Sequence, residues 1–331
     1  MYKKETFTAV ILFFILQICF AQSSFQNLEL GKNSLNYKGN PLKATDRKSL
    51  AFSDKGAWFG FGFLEQSEMQ GGFSGPFLMT EQNGVWLSSS FISLHLTDKN
   101  EQELIDWKTA LVNQNSYNSH LEQEFQNEKL EVKQQLVFSS GHSAIQKTII
   151  TNRSSKTITL YPIYNSKTYL DNMQLSTEGQ FLKLVSSKSN AVGYIQFFNE
   201  GIDIVITKDS FTAKANKLTL KPNETKEIVV SQTYIFPQYD WKKENENLAK
   251  IQFNTLLKDT KKEKENQLAQ LIAKKKSIYK GAEYSIFIAK LLLTLQNNTR
   301  IPAEGLKHEG LFPSYHYEWF HGFWAWDSWK H

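Results

Sequence analysis

Four of the eight tryptophans lie within eleven residues near the end of the sequence, interleaved with acidic, basic and histidine side chains. We call residues 311–331 the aromatic tail; its tryptophans are Trp319, Trp324, Trp326 and Trp329. Apolar sugar faces stack on aromatic rings, and sugar hydroxyls form charge-assisted hydrogen bonds to a carboxylate, which Asp327 could supply. The spacing therefore fits a sugar-binding rim. It fits equally well a set of packing residues, with Asp327 favoured by the dipole at a helix N-terminus.

Other polar residues near the tail give weaker signals. We expect Glu304, Glu309 and Glu318 to be surface or loop acids. The histidines of this region do not have the close spacing of metal ligands, and the sequence predicts neither a metal nor a cofactor for this chain. These histidines are His308, His316, His321 and His331.

The composition is that of a globular protein, with 40% hydrophobic and 21% charged residues among 331. The net charge of +5 is small for this length, and no basic cluster is accompanied by base-stacking aromatics, so no nucleic-acid partner is expected. We expect the lysines at 261, 262, 264 and 274–276 to form a solvated helix face, because glutamates interleave with them. The sequence gives no signal of oligomeric state.

The first residues have the pattern of a secretory signal peptide. Lys3 and Lys4 precede an apolar run of about 14 residues, and small residues at the expected spacing favour cleavage after Ala21. An uncleaved anchor is the alternative, but the run is shorter than the roughly 20 residues of a membrane-spanning helix. We therefore expect an exported protein, periplasmic or secreted, with no stable membrane insertion. Cys19, the single cysteine, would leave with the signal.

Alternating polar and apolar residues from about residue 23 to residue 236 predict antiparallel strands and one large β-sandwich. The clearest predicted strands are 131–138, 144–152, 157–164, 202–207 and 226–236. The segment 218–225 is predicted to form a hairpin with the strand that follows it. The fold class is thus mainly β, followed by a helical C-terminal part.

Residues 241–280 are rich in Lys, Glu, Asn, Gln and Leu, which predicts one or two helices linking two domains. Residues 282–296 carry apolar side chains at spacings of three and four, which predicts a strong helix. This helix is too apolar to stand alone, so we expect it to expose an apolar face and to cause poor solubility.

The segment Trp324-Ala325-Trp326-Asp327-Ser328-Trp329-Lys330 resembles a motif of glycoside hydrolase family 63, especially its bacterial oligosaccharide α-glucosidase branch. Pro313-Ser314 and Trp319-Phe320 precede it as they do in that branch. A second resemblance lies in the first third of the sequence. Its residues are Gly56-Ala57-Trp58-Phe59-Gly60, Gly71-Gly72-Phe73-Ser74-Gly75-Pro76 and Thr80-Glu81.

After the predicted signal peptide (1–21), the resemblance implies an N-terminal β-sandwich (22–240), a helical linker (241–280) and the start of an (α/α) six-hairpin barrel (281–331). It implies an exo-acting α-glucosidase that removes terminal α-linked glucose from oligosaccharides with inversion, so the expected partner is an oligosaccharide substrate. That reaction uses an acid and a base about 6.5–9.5 Å apart, and in the family both lie in later barrel segments, beyond His331. We therefore expect no catalytic residue in this chain and no activity from it alone.

By the same resemblance Asp327 is a substrate ligand, with Trp324 and Trp326 lining its pocket. Trp319 and Phe312 are assigned to the same substrate-binding site. Three alternatives stay open: a non-catalytic carbohydrate-binding module, a related barrel hydrolase acting on trehalose or mannosylglycerate, and the product of an interrupted reading frame.

Overall fold

The structure is a computed structural model that describes residues 25–198 and 201–326. Its strands are β1 (Phe59–Gly62), β2 (Ser74–Leu78), β3 (Val85–Trp86), β4 (Ser93–Thr97), β5 (Leu111–Ser116), β6 (Leu121–Gln126), β7 (Leu130–Phe138), β8 (Ser143–Asn152), β9 (Ile158–Lys167), β10 (Met173–Glu178), β11 (Phe181–Ser186), β12 (Val192–Phe197), β13 (Asp203–Ile206), β14 (Ser210–Lys214), β15 (Leu218–Leu220), β16 (Thr225–Ile235), β17 (Thr299–Arg300) and β18 (Gly310–Leu311). The α-helices are α1 (Gln26–Leu30), α2 (Trp107–Ala110), α3 (Trp241–Leu248), α4 (Phe253–Ala273) and α5 (Ala282–Asn298). Short 3₁₀ turns occur at Gln66–Glu68, Ser277–Tyr279 and Glu318–Phe320.

Eight antiparallel strands form the large sheet, in the order β10-β11-β12-β16-β8-β7-β6-β5. The central strands β7, β8 and β16 are the long alternating segments that the sequence predicts, and β16 pairs with β8 over nine residues. Because successive side chains point to opposite faces, each of these strands directs one set into the core. The mainly β fold class is confirmed.

The second sheet contains β13, β14, β9, β15 and β4, with β9 at its centre. Its inward side chains and those of the large sheet form one continuous core, which includes Phe125, Leu136, Tyr164, Phe211 and Tyr234. The two sheets therefore pack as a β-sandwich.

The hairpin predicted for residues 218–225 is wrong. β15 pairs with β9 in the second sheet, whereas β16 pairs with β8 and β12 in the large sheet. The turn at 221–224 thus carries the chain from one sheet to the other. Alternation along a strand specifies which face is buried but not which neighbour the strand pairs with.

A small sheet, β1-β2-β3, lies beside the sandwich and contains the glycine-rich segments noted in the sequence. Gly56 adopts a φ of +72°, and a Cβ there would lie 2.8 Å from the backbone nitrogen of Ile301. A glycine is needed at this position both for its conformation and for the close approach of the segment that follows α5. Gly56 therefore serves the packing of the small sheet against the C-terminal segment.

The helices predicted for 241–280 are present as α3 and α4. The Asp240 carboxylate caps α3 by accepting hydrogen bonds from the backbone N–H groups of Lys242 and Lys243. Leu248, Phe253 and Leu257 pack on the outer face of the large sheet, against Val137 and Ile145.

The solvated lysine face predicted for α4 is wrong at one position. Lys264 is buried, and its Nζ lies 2.6 Å from Oδ1 of Asp54, which is also buried. The Asp54 carboxylate stands on the loop before β1, far away in sequence, so no local pattern could reveal this pair.

The helix predicted for 282–296 is present as α5, which continues to Asn298. Ala289 and Leu293 face inward, towards α1, α4 and the sandwich core. The opposite face is exposed, with Phe287 57% and Leu291 45% accessible. An apolar groove of about 740 Å³ runs between this face and the end of α4.

Candidate functional site

The aromatic tail is anchored to the sandwich by Tyr315. The Tyr315 hydroxyl donates to the carbonyl oxygen of Ala51 at 2.7 Å and accepts from the backbone N–H of Ala51 at 3.0 Å. The backbone N–H of Tyr315 donates to Oδ1 of Asn298, at the end of α5. Burial raises the pKa of the Tyr315 hydroxyl, so it stays protonated and can donate.

Arg300 forms the second anchor and is fully buried. Its guanidinium donates to the carbonyl oxygens of Asn297 and Thr299 and contacts the sulfur of Met79. It also lies over the rings of Phe312 and Tyr315, 5.8 and 5.7 Å from their centroids. Burial lowers the pKa of Arg300 to about 9, and the nearby Tyr315 opposes that shift.

Three tryptophans of the tail lie within the described residues, and all three are on the surface. Trp319 is 70% exposed, Trp324 50% and Trp326 69%. Tyr317, Phe320 and Phe323 are each about half exposed beside them. The tail thus presents several exposed aromatic rings on a backbone held by buried anchors. We call the group of Tyr317, Trp319, Phe320, Trp324 and Trp326 the indole rim; within it the Phe320 ring contacts those of Tyr317 and Trp324.

Two of the predicted site residues differ from that group. Phe312 is buried at 4% exposure and packs edge-on against Trp58, with ring centroids 5.4 Å apart. Asp327 lies outside the described residues, as do the predicted signal peptide and its cleavage site. The structure therefore exposes Trp319, Trp324 and Trp326, buries Phe312 and leaves the role of Asp327 a prediction.

Behind the indole rim a cleft of about 560 Å³ separates the tail from the sandwich. The loop after β2, residues 79–83, forms one wall together with Trp58 and Phe236. The tail forms the other through Phe312, His321 and Phe323. Lys188 and Glu304 also line the cleft, and both are exposed.

Burial lowers the pKa of His321, while hydrogen bonding to the carbonyl of Tyr315 opposes that shift. The Nδ1 atom lies 2.8 Å from this carbonyl oxygen, and the ring stacks edge-on against Phe312. A neutral imidazole that already donates to the backbone serves to hold the tail in place. No group of His, Cys, Asp and Glu among the described residues is arranged to hold a metal ion.

Sequence reasoning missed three residues that shape this region. Arg300 gives no local signal, because a buried arginine is recognised only from its tertiary partners. Trp58 and Glu81 lie in the segments that carry the family resemblance, but nothing in those segments indicates that they line a cleft with the tail. The Asn83-Gly84 pair after an apolar strand is the local signal that could have indicated the turn that positions Glu81.

No helix within residues 25–198 and 201–326 is both long enough and apolar enough to cross a membrane.

Residues 39–192 match a family model described as "Glucosidase YgjK, N-terminal". No curated protein matches the chain. The matching segment covers the small sheet and the sandwich as far as the start of β12. The match supports a glycoside hydrolase-like family, with this segment as the N-terminal domain of such an enzyme. It does not specify family 63.

Several solved structures are similar to the chain at low identity. A putative kojibiose phosphorylase from the human microbiome shares 12% identity over 66% of this chain and 35% of its own, with a TM-score of 0.47. A family GH92 α-mannosidase from Bacteroides thetaiotaomicron shares 11% over 73% and 38%, with a TM-score of 0.45. A putative aldose 1-epimerase from Escherichia coli K12 shares 7% over 56% and 99%, with a TM-score of 0.40. The chain thus spans little more than a third of the length of the first two.

Proposed function

We propose that this chain is the N-terminal part of an exo-acting, inverting α-glucosidase of the family 63 type. The sandwich acts as a support, and the indole rim forms one side of the pocket that holds the terminal glucose. The family match supports a glycoside hydrolase domain, and the motif of residues 324–330 supports the α-glucosidase branch.

The exposure of the indole rim carries this proposal. An indole in water exposes a large apolar area, and burying such area is favourable by about 25 cal/mol per Å². Several tryptophans displayed together on an anchored segment mark a surface with a partner. The rings offer flat apolar faces, and a pyranose presents the complementary face of C–H groups.

Under this proposal the chain binds and orients the sugar, while proton transfer is performed elsewhere. The inverting reaction needs a carboxylic acid at the leaving oxygen and a carboxylate that activates water. We assign both groups to barrel segments outside residues 1–331. Asp327 holds hydroxyls of the terminal sugar, and Trp324 and Trp326 pack against its ring.

The binding role is tested by isothermal titration of the purified chain with maltose, trehalose and mannosylglycerate. We expect weak binding of maltose, abolished or strongly reduced in Asp327→Asn. Glu128→Gln, an exposed carboxylate on the sandwich, is the matched control and should bind like the unaltered chain. Equal binding by both variants contradicts the role of Asp327, and preference for trehalose or mannosylglycerate favours a sibling activity.

The placement of the catalytic carboxylates is tested by a glucose-release assay. The chain alone should release no glucose from maltose. Measurable release by pure protein contradicts that placement.

We also propose that the protein is exported and that cleavage leaves Gln22 at the N-terminus. Mass spectrometry of the mature protein tests this, and retention of Met1 contradicts it.

A further inference from the structure

The loop between β2 and β3 forms a tight turn that is fixed from two sides. The Gly84 N–H donates to the carbonyl oxygen of Glu81 at 3.0 Å, and Asn83 adopts a φ of +65°. Gly84 has a φ of +69°, and a Cβ there would lie 2.6 Å from the ring of Phe77. A residue with a side chain at 84 would therefore displace the turn.

Arg47 clamps the same turn from the outside. Its Nη2 donates to the carbonyl oxygens of Asn83 and Gly84 at 2.9 and 2.7 Å. The guanidinium lies over the ring of Phe77, 5.4 Å from the centroid. A turn held by these contacts presents its side chains in a fixed geometry, as a binding site requires.

Glu81 is the side chain that this turn directs to the cleft. It is only 5% exposed, yet it lines the cleft between the sandwich and the tail. Its one side-chain contact is a long one, 3.5 Å from Nδ2 of Asn172. Within the described part of the chain Glu81 has no salt bridge and no further hydrogen bond to its carboxylate. A carboxylate with so few protein partners takes its hydrogen-bond donors from the cleft, either from water or from a ligand.

The surroundings of Glu81 select the class of ligand. An ionised carboxylate only accepts hydrogen bonds, so its ligand must donate, and its charge disfavours an anion. The opposite wall contributes Phe323, which is 47% exposed. A cleft of about 560 Å³ lies within the usual range for ligand sites, about 300–1,000 Å³.

We infer that this cleft is a second sugar subsite, separate from the indole rim, in which Glu81 accepts hydrogen bonds from the hydroxyls of a neutral saccharide stacked on Phe323. The inference rests on the proposed function, because it assigns the same class of substrate. It adds a contribution of the sandwich domain to saccharide recognition.

Methionine methyl groups offer a local test. Met79 lines the cleft, whereas Met69 and Met173 lie in the sandwich core. We would label the chain with ¹³C-methyl methionine and titrate it with maltose, trehalose and mannosylglycerate. The Met79 resonance should shift saturably with a preferred saccharide, and those of Met69 and Met173 should stay in place.

Two variants separate this inference from the proposed function. Glu81→Gln keeps the shape but loses the charge, so the affinity measured at Met79 should fall about tenfold. Glu68→Gln, an exposed acid on the short 3₁₀ turn before β2, is the matched control and should bind normally. Trp324→Ala reports on the indole rim alone.

If Met79 does not respond while Trp324→Ala weakens binding, the subsite is contradicted and the proposed function stands. If Met79 responds and Glu81→Gln binds like the unaltered chain, the role of Glu81 is contradicted. If no saccharide binds the chain at all, both proposals fall.

Discussion

At the scale of single residues, a few buried side chains hold the exposed aromatic side chains of the tail in place. Tyr315 and Arg300 are almost completely buried, whereas Trp319, Trp324 and Trp326 stand in solvent. The anchoring groups satisfy backbone donors and acceptors of other segments, so their loss leaves unpaired groups in the interior. The stability of the contact between the tail and the rest of the chain therefore depends on a few hydrogen bonds.

Replacing Tyr315 with Phe should destabilise the chain by about 2 kcal/mol. The variant keeps the ring but leaves the N–H and carbonyl of Ala51 without partners in a buried environment. Urea denaturation measures the change. Tyr317→Phe, at a half-exposed tyrosine of the same tail, is the control and should unfold like the unaltered chain. Equal stability of the two variants contradicts the anchoring role.

His120 should make the fold sensitive to acid. It is buried beside Ser119 and Glu122, and burial lowers its pKa from 6.5 to about 4. The unfolded chain therefore takes up a proton on this ring at a higher pH than the folded chain does. This contribution to stability is complete above about pH 6.5 and is lost as the pH falls to about 4.

The effect is measured by urea denaturation across that pH range, comparing the unaltered chain with His120→Gln. A shift of this size corresponds to a loss of up to about 3 kcal/mol, which the variant should not show. The pKa of Glu122 is lowered from 4.5 to about 2, so its contribution to the free energy of unfolding is lost only at lower pH, between about 4.5 and 2. His308→Gln, at an exposed histidine, is the control. The same pH slope for His120→Gln and the unaltered chain would rule out this role.

At the scale of elements, α4 and the loop before β1 are joined by the buried pair of Lys264 and Asp54. Desolvation raises the pKa of Asp54, while Lys264 opposes that shift. The second oxygen of Asp54 has no hydrogen-bond partner in the described part of the chain. The pair thus fixes the position of α4 more than it adds to stability.

Replacing only Lys264 should lower the free energy of unfolding more than replacing both Lys264 and Asp54. Lys264→Met leaves an unpaired buried carboxylate, and we expect a loss of about 3–5 kcal/mol. The double variant with Asp54→Asn should recover part of it. Chemical denaturation measures these differences, with Lys258→Met as an exposed control on the same helix. A double variant less stable than Lys264→Met contradicts the argument.

At the scale of the whole molecule, much of the fold follows from the sequence, whereas much of the contact between the aromatic tail and the rest of the chain does not. Alternation predicted β7, β8 and β16 because polar and apolar residues alternate along much of each strand. It did not predict β1 and β2, whose side chains are all buried, so that no polar face marks them. The spacing of the tryptophans was equally consistent with an exposed sugar-binding rim and with a set of packing residues. The exposure of their rings depends on Tyr315 and Arg300, which contact residues far away in the sequence.

The exposed face of α5 should make the isolated chain associate. Phe287 and Leu291 lie side by side on that face, next to the apolar groove. Contiguous exposed apolar area of this kind promotes association. The double variant Phe287→Lys and Leu291→Glu should lower the aggregate fraction in light scattering at least about twofold. Lys290→Glu changes charge on the same helix without altering the apolar face, and it is the control. A monodisperse unaltered chain contradicts this expectation.

The central claim is that the indole rim contacts a sugar, and ¹⁹F NMR of the chain labelled with 5-fluorotryptophan tests it most directly. Substitution of each tryptophan assigns its signal, and the labelled chain is then titrated with maltose. The resonances of Trp324 and Trp326 should shift saturably, whereas that of Trp107, buried in the sandwich core, should not. A titration to high millimolar maltose that moves neither Trp324 nor Trp326 would contradict the assignment.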